Sequence, residues 1–155
     1  MIDDVTPDAA EALLAAARLL HDFNAEYDEP APEPEVLAGF LRARLADGGT
    51  ILLLARDDAG DPVGVAAVRL QRSLWSDAFE AYLAELYVVP PRRGEGFGRA
   101  LLAAVLDGSR AAGADYVFLV TSEEDVSAQR AYEAAGFRRT EAEGGPTMWA
   151  YEQEL

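Results

Sequence analysis

The sequence contains no cysteine, no lysine, a single histidine and no apolar run of membrane-spanning length. Without cysteine there can be no disulfide, no thiolate metal site and no cysteine nucleophile. One imidazole, His21, cannot build a multi-histidine zinc site, and any serine–histidine–acid triad would rest on that residue alone. A membrane helix would need about 18 or more consecutive apolar residues. The first residues, MIDDVTPDAAEA, are acidic, unlike the basic start of a secretory leader. These absences point to a cytoplasmic protein with no metal and no membrane partner.

The balance of charge is equally one-sided. All 13 basic residues are arginine, against 28 Asp and Glu, for a net charge of −15. Such a surface repels polyanions, which argues against general nucleic-acid binding and favours cationic partners. Arginine used to the exclusion of lysine also reads as a composition bias, and an acidic surface keeps a chain soluble. At 155 residues, half of them hydrophobic, the chain has the size and composition of one globular domain spanning residues 1–155.

Hydrophobic periodicity predicts a short strand at residues 1–6 and a helix opened by Thr6-Pro7-Asp8, with Leu13, Leu14, Ala17 and Leu20 at helical spacing. Three prolines between Tyr27 and Pro34 break it. A second helix follows over 34–45, with Val36, Leu37, Phe40 and Leu41 on one face. Strands are expected at 50–56, 63–72, 82–89 and 116–120, the last two as buried strands. Helices are expected at 97–112 and 125–135, and a final strand at 147–152. This order is a mixed sheet carrying helices rather than a strict strand–helix alternation.

The segment Pro90-Pro91-Arg92-Arg93-Gly94-Glu95-Gly96-Phe97-Gly98-Arg99 joins a predicted strand to a predicted helix. Glycines at 94, 96 and 98 let the backbone approach a ligand and turn its N–H groups onto it, and a helix N-terminus adds partial positive charge. Three arginines face one acid there, a local +2 in a chain of net −15. The spacing is neither a dinucleotide fingerprint nor a Walker loop.

Strand, then Arg93-Gly94-x-Gly96-x-Gly98, then Arg99-Ala100-Leu101-Leu102, resembles the acetyl-CoA motif of the GNAT family of N-acetyltransferases, R/Q-x-x-G-x-G/A. Ala131-Tyr132-Glu133-Ala134-Ala135-Gly136-Phe137 is similar to that family's later LYE-x-x-GF segment. The resemblance implies an α/β fold with a mixed, mostly antiparallel sheet of about six to seven strands and about four helices. It implies acetyl transfer from acetyl-CoA to a primary amine by direct attack, without a metal. The backbone of Leu86, Tyr87, Val88 and Val89 would pair with the pantetheine, and Arg93, Gly94, Gly96, Phe97, Gly98 and Arg99 would hold the pyrophosphate. Tyr132 matches the family's general acid, and the Val88 amide would bind the oxyanion. Glu85, a carboxylate inside an apolar strand, is the expected base; a salt bridge to Arg69 is the competing explanation, and Glu80 is a weaker alternative base. Asp125 stands where many relatives carry an Asn that touches the cofactor, and here it reads better as a helix cap.

Six acids and no arginine lie between Leu19 and Leu41, which would make an acidic wall for a cationic amine, a small molecule or a peptide. Tyr27 and Trp75 would add aromatic surface. The segment 147–152 suggests a homodimer contact. A catalytically idle acyl-CoA-binding or sensing domain is the alternative from another class.

Overall fold

The computed structural model describes all residues, Met1–Leu155. They form two compact units, Met1–Phe118 and Leu119–Leu155.

The first unit holds a five-stranded sheet in the order β1-β2-β3-β4-β5: β1 Ile2–Asp4, β2 Thr50–Arg56, β3 Pro62–Arg72, β4 Phe79–Val88 and β5 Ala114–Phe118. Neighbours are antiparallel from β1 to β4, and β5 joins β4 in parallel. Helices α1 Ala10–Glu26 and α2 Pro34–Ala46 precede β2, and α3 Phe97–Ala111 makes the crossover from β4 to β5. Alternation on the strands divides the core in two. Leu52, Leu54, Val65, Ala67 and Tyr87 pack with Leu13, Ala16, Ala17 and Leu20 of α1 and Leu41 of α2. On the opposite side α3 buries Leu101, Leu102 and Val105, with Leu101 over Gly64 of β3.

The mixed, mostly antiparallel sheet and the four helices agree with expectation, but there are five strands rather than six or seven. The strand expected at 147–152 is absent. Only an isolated bridge, Thr140 to Thr147, and a hydrogen bond from Met148 N–H to Arg139 O form there, and Trp149 and Tyr151 stand exposed. Its short apolar run, Met148 to Tyr151, pairs with no strand of the sheet. Helix α1 also begins later than Thr6. Val5 is drawn into the sheet, buried and donating to Leu52 O at 2.9 Å, so Thr6-Pro7-Asp8 becomes a turn. On α2 only Leu41 is buried, while Val36 and Phe40 face outward, because α2 packs on α1 and β2 with no third layer to cover them. Strand β5 starts two residues earlier than expected and is an edge strand rather than a buried one, with Tyr116 exposed.

The second unit, Leu119–Leu155, contains α4 Val126–Ala134. Asp125 caps it, its carboxylate accepting from Ala128 N–H at 3.0 Å. Gly136 closes it at φ +92°, where a side chain would be strained. Phe137 N–H then donates back to Tyr132 O at 3.0 Å, and the two rings meet edge to face at 6.1 Å.

Candidate active site

After β4 the chain makes a short 3-10 turn, Pro90–Arg92, and reaches Gly96, the N-cap of α3, at φ +94°. No side chain caps α3. The amides of Arg92 and Arg93 are spent on Val89 O and Pro90 O, and that of Ala100 on Gly96 O. Between them, the N–H groups of residues 94–99 have no acceptor in the chain. Six consecutive free donors at the positive end of a 15-residue helix make an anion-binding surface.

The arginines of this turn are less available than their number suggests. Arg92 donates to Asp57 Oδ2 at 2.5 Å and to Glu95 Oε2 at 2.9 Å, and its guanidinium lies over the Phe97 ring. Asp57 also accepts from the amides of Ala59 and Asp61 in the β2–β3 turn. The Arg92 hydrogen bond, with those amides, holds the Asp57 carboxyl below the usual carboxylate range. Arg93 reaches the other way, to Glu26 at the end of α1. Arg99 is exposed and has no ion-pair partner. The local +2 read from the sequence, which already counts Glu95, is therefore compensated by Asp57 and Glu26. What remains for an anion is the free amides, the helix end and Arg99.

Strand β4 has an open edge beside this turn. Its pairing with β5 covers Phe79–Tyr82 only, whereas its pairing with β3 runs on to Val88. Val89 N–H donates to Val63 O at 3.0 Å, which makes Gly64/Val88 a non-hydrogen-bonded pair. The N–H and C=O of Val88, and of Leu86 two residues earlier, therefore point away from β3 toward the unpaired edge. The Tyr87 side chain instead lies in the core, stacked on Phe23 at 5.1 Å. Val89 N–H, already bonded, is not free to pair with a ligand.

A register shift on β4 orients Glu85. Ala67 pairs with Glu85 but Val68 with Leu83, so Ala84 is an extra residue. This bulge moves Glu85 to the face opposite Leu83, the face covered by α1 and α2. There Glu85 lines a cleft of about 120 Å3 with Leu20, Asn24, Ala31, Pro32 and Leu37. Burial raises its carboxyl above the ordinary range, and the positive charge of Arg69 opposes this only in part. No ion pair forms between Glu85 and Arg69, which lies over the Tyr82 ring. Glu80 accepts from Gln71 Nε2 at 3.1 Å, five residues nearer the start of β4. The sequence reading missed the bulge, although an acid inside an apolar strand was its visible trace.

Tyr132 lies on α4 in the other unit, half-buried. Burial, and then the charge of Asp125, raise its phenol above the usual value, so it is protonated at neutral pH. Of the six acids between Leu19 and Leu41, Glu26 is consumed by Arg93; Asp22, Asp28, Glu29, Glu33 and Glu35 are exposed. Tyr27 meets Phe23 edge to face at 5.5 Å. Trp75 is on the β3–β4 loop, and Phe79 to Glu85 alone spans about 20 Å of strand. Trp75 stands exposed and does not line the Glu85 cleft. His21 is half-buried beside Asp22, Nδ1 to Oδ1 3.7 Å. No group of three or more His, Asp or Glu is placed to hold a metal ion, and no helix is long and apolar enough to cross a membrane.

Residues 16–137 match the model of the Acetyltransferase (GNAT) family. An aminoglycoside N(6')-acetyltransferase type 1 from Stenotrophomonas maltophilia is 39% identical over 104 residues, covering 65% of this chain and 68% of that protein. A mycothiol acetyltransferase from Sanguibacter keddieii is 38% identical over 106 residues, 64% of this chain but only 32% of the relative. The chain thus spans about a third of the length of that relative. A crystal structure from Arthrobacter sp. FB24, of a protein assigned as an acetyltransferase, superposes with a TM-score of 0.86 at 37% identity, covering 100% of this chain and 96% of the other.

Proposed function

The chain belongs to the acetyltransferase (GNAT) family and is an acyltransferase, and on that premise we propose that it acts as a single N-acetyltransferase domain, residues 1–155, moving the acetyl group of acetyl-CoA to a primary amine by direct attack in a ternary complex. The observation that carries this reading is the run of free amides at 94–99, next to the unpaired edge of β4. These amides suit a pyrophosphate; the outward N–H and C=O of Leu86 and the outward N–H of Val88 suit an amide-bearing chain laid along the strand edge. Acetyl-CoA, when bound, supplies an activated thioester and a thiol leaving group.

The residues of the chain do the rest. Glu85, whose proton affinity is raised by burial, takes the proton of the ammonium through water in its cleft. The Val88 N–H donates to the oxygen on which negative charge develops. The Tyr132 hydroxyl, held protonated, donates to the departing sulfur. The exposed acids of the α1–α2 region favour a cationic amine, and the relatives named for aminoglycoside and mycothiol acetylation favour a small molecule. A cytoplasmic setting fits this acceptor.

The test is a panel of amines with acetyl-CoA, monitored by free thiol. Thiol release that requires both an amine and Tyr132 is the expected result. Tight acetyl-CoA binding without turnover on any amine would instead identify an acyl-CoA sensor.

A further inference from the structure

Arg93 directs three of its five N–H donors into the protein. Nε donates to Val88 O at 2.9 Å. The two terminal nitrogens grip the carboxylate of Glu26, at 2.8 Å to Oε1 and 2.7 Å to Oε2, in a two-pronged fork. The guanidinium also lies 5.6 Å from the centroid of the Tyr87 ring. This arrangement connects three parts of the first unit. Glu26 is the last residue of α1, the helix whose Leu20 and Asn24 line the Glu85 cleft. Val88 closes β4 on its open edge. Arg93 itself immediately precedes the free amides. A phosphate at this guanidinium would meet only its two remaining N–H groups, beside a carboxylate that already balances its charge.

We infer that Glu26 is a positioning residue: through its fork with Arg93 it ties the acceptor side of α1 to the end of β4 and to the turn, and Arg93 serves the anion by placing the amides rather than by contacting it. The inference rests on the proposed acetyl transfer and adds a role for Glu26 and a different role for the motif arginine. The charge balance agrees, since the hydrogen bond from Arg93 holds the Glu26 carboxyl below its ordinary range.

The experiment compares two donors, acetyl-CoA and S-acetylpantetheine, which lacks the pyrophosphate. Steady-state constants are measured for wild type, Glu26→Ala, Arg93→Ala, the double variant, and the exchanged pair Glu26→Arg with Arg93→Glu. The expected result has four parts. Each single variant raises the donor KM by about five- to tenfold with kcat changed much less. The rise is seen with acetyl-CoA and much less with S-acetylpantetheine, which has no pyrophosphate for the amides to hold. The double variant is no worse than either single. The exchanged pair recovers at least part of the loss, which a variant that merely fails to fold cannot do. Tighter acetyl-CoA binding in Glu26→Ala beside a loss in Arg93→Ala would make Arg93 a phosphate ligand released by the first change, and would overturn the inference. So would unchanged constants in Glu26→Ala. Failure of wild type to bind acetyl-CoA in calorimetry would overturn the acetyl-transfer reading as well, and so separates the two failures.

Discussion

Two glycine turns bound helices in this protein, one before α3 and one after α4, and they use their backbone amides in opposite ways. Before α3, Gly96 takes a left-handed conformation and the N–H groups of 94–99 are left without acceptors. After α4, Gly136 takes nearly the same conformation, φ +92° against +94°, yet the amides there turn back onto the helix: Gly136 to Glu133 O and Phe137 to Tyr132 O. The difference follows from helix polarity. An N-terminus exposes donors and a C-terminus exposes acceptors, so a turn can satisfy the second with its own amides but cannot satisfy the first. Of two family-like motifs, the first thus leaves its donors free, while the Gly136-Phe137 part of the second completes a helix end.

The sharpest way to break this comparison is Tyr132→Phe. If the second motif offers more than closure, kcat falls by about 100-fold or more, the scale of a lost general acid, with acetyl-CoA affinity retained in calorimetry. Retained kcat would reduce the motif to architecture. Glu85→Gln is expected to lower kcat by a similar factor and touches neither turn. It carries its own signature with pH. Burial raises the Glu85 pKa in the folded state, so the folded protein binds more protons than the unfolded one above the ordinary carboxylate value. Stability is therefore lost as pH rises through the folded pKa. At neutral pH the Gln variant should melt above wild type, while the wild-type rise of kcat/KM through that pKa disappears. A variant less stable than wild type at neutral pH would contradict the buried-base reading.

The glycines themselves give the middle of the range. No atom lies within 4 Å of a Cβ added at Gly96 or at Gly136, so alanine at either position is opposed by conformation alone, about 1–2 kcal/mol. Gly96→Ala should weaken acetyl-CoA binding by about tenfold, because the amides move with the turn. Gly136→Ala should lower the melting temperature by a few degrees and leave the dissociation constant in place. Equal effects of the two substitutions on binding would erase the distinction. The smallest effect is expected at the other end of α4. Asp125→Ala removes its capping hydrogen bond, costing about 1 kcal/mol with cofactor affinity unchanged, measured by denaturant unfolding. A clear loss of affinity there would turn the cap into a cofactor contact.

Most of the architecture was legible because it rests on local periodicity. Thr50–Arg56 forms a strand with the bounds that its apolar run suggests, and α3 starts at Phe97 as expected, directly after Gly96, the second of the spaced glycines. Asp125 was legible as a cap from residue type and position alone. What failed depended on partners distant in the chain. The apolar run within 147–152 is a strand only if an edge receives it. Val36 and Phe40 are interior only if another layer covers α2, and it does not. Thr6 would cap α1 only if Val5 were not claimed by β2.

The same division runs through the candidate site. Local order along the chain was enough to mark the turn at 94–99, because a glycine-rich entry to a helix leaves the first amides without intrahelical acceptors. The sequence by itself also determined that the protein is strongly acidic with a local cluster of arginines. Only the tertiary structure decided what those arginines do: Arg92 and Arg93 lie against Asp57 and Glu26, which are 35 and 67 residues away in the chain. It also decided which way Glu85 faces, through one extra residue on β4 that inverts the alternation. Charge pairing and sheet register are properties of residues brought together by folding. Neither can be read from a neighbourhood of a few residues, whereas the polarity of a helix end can.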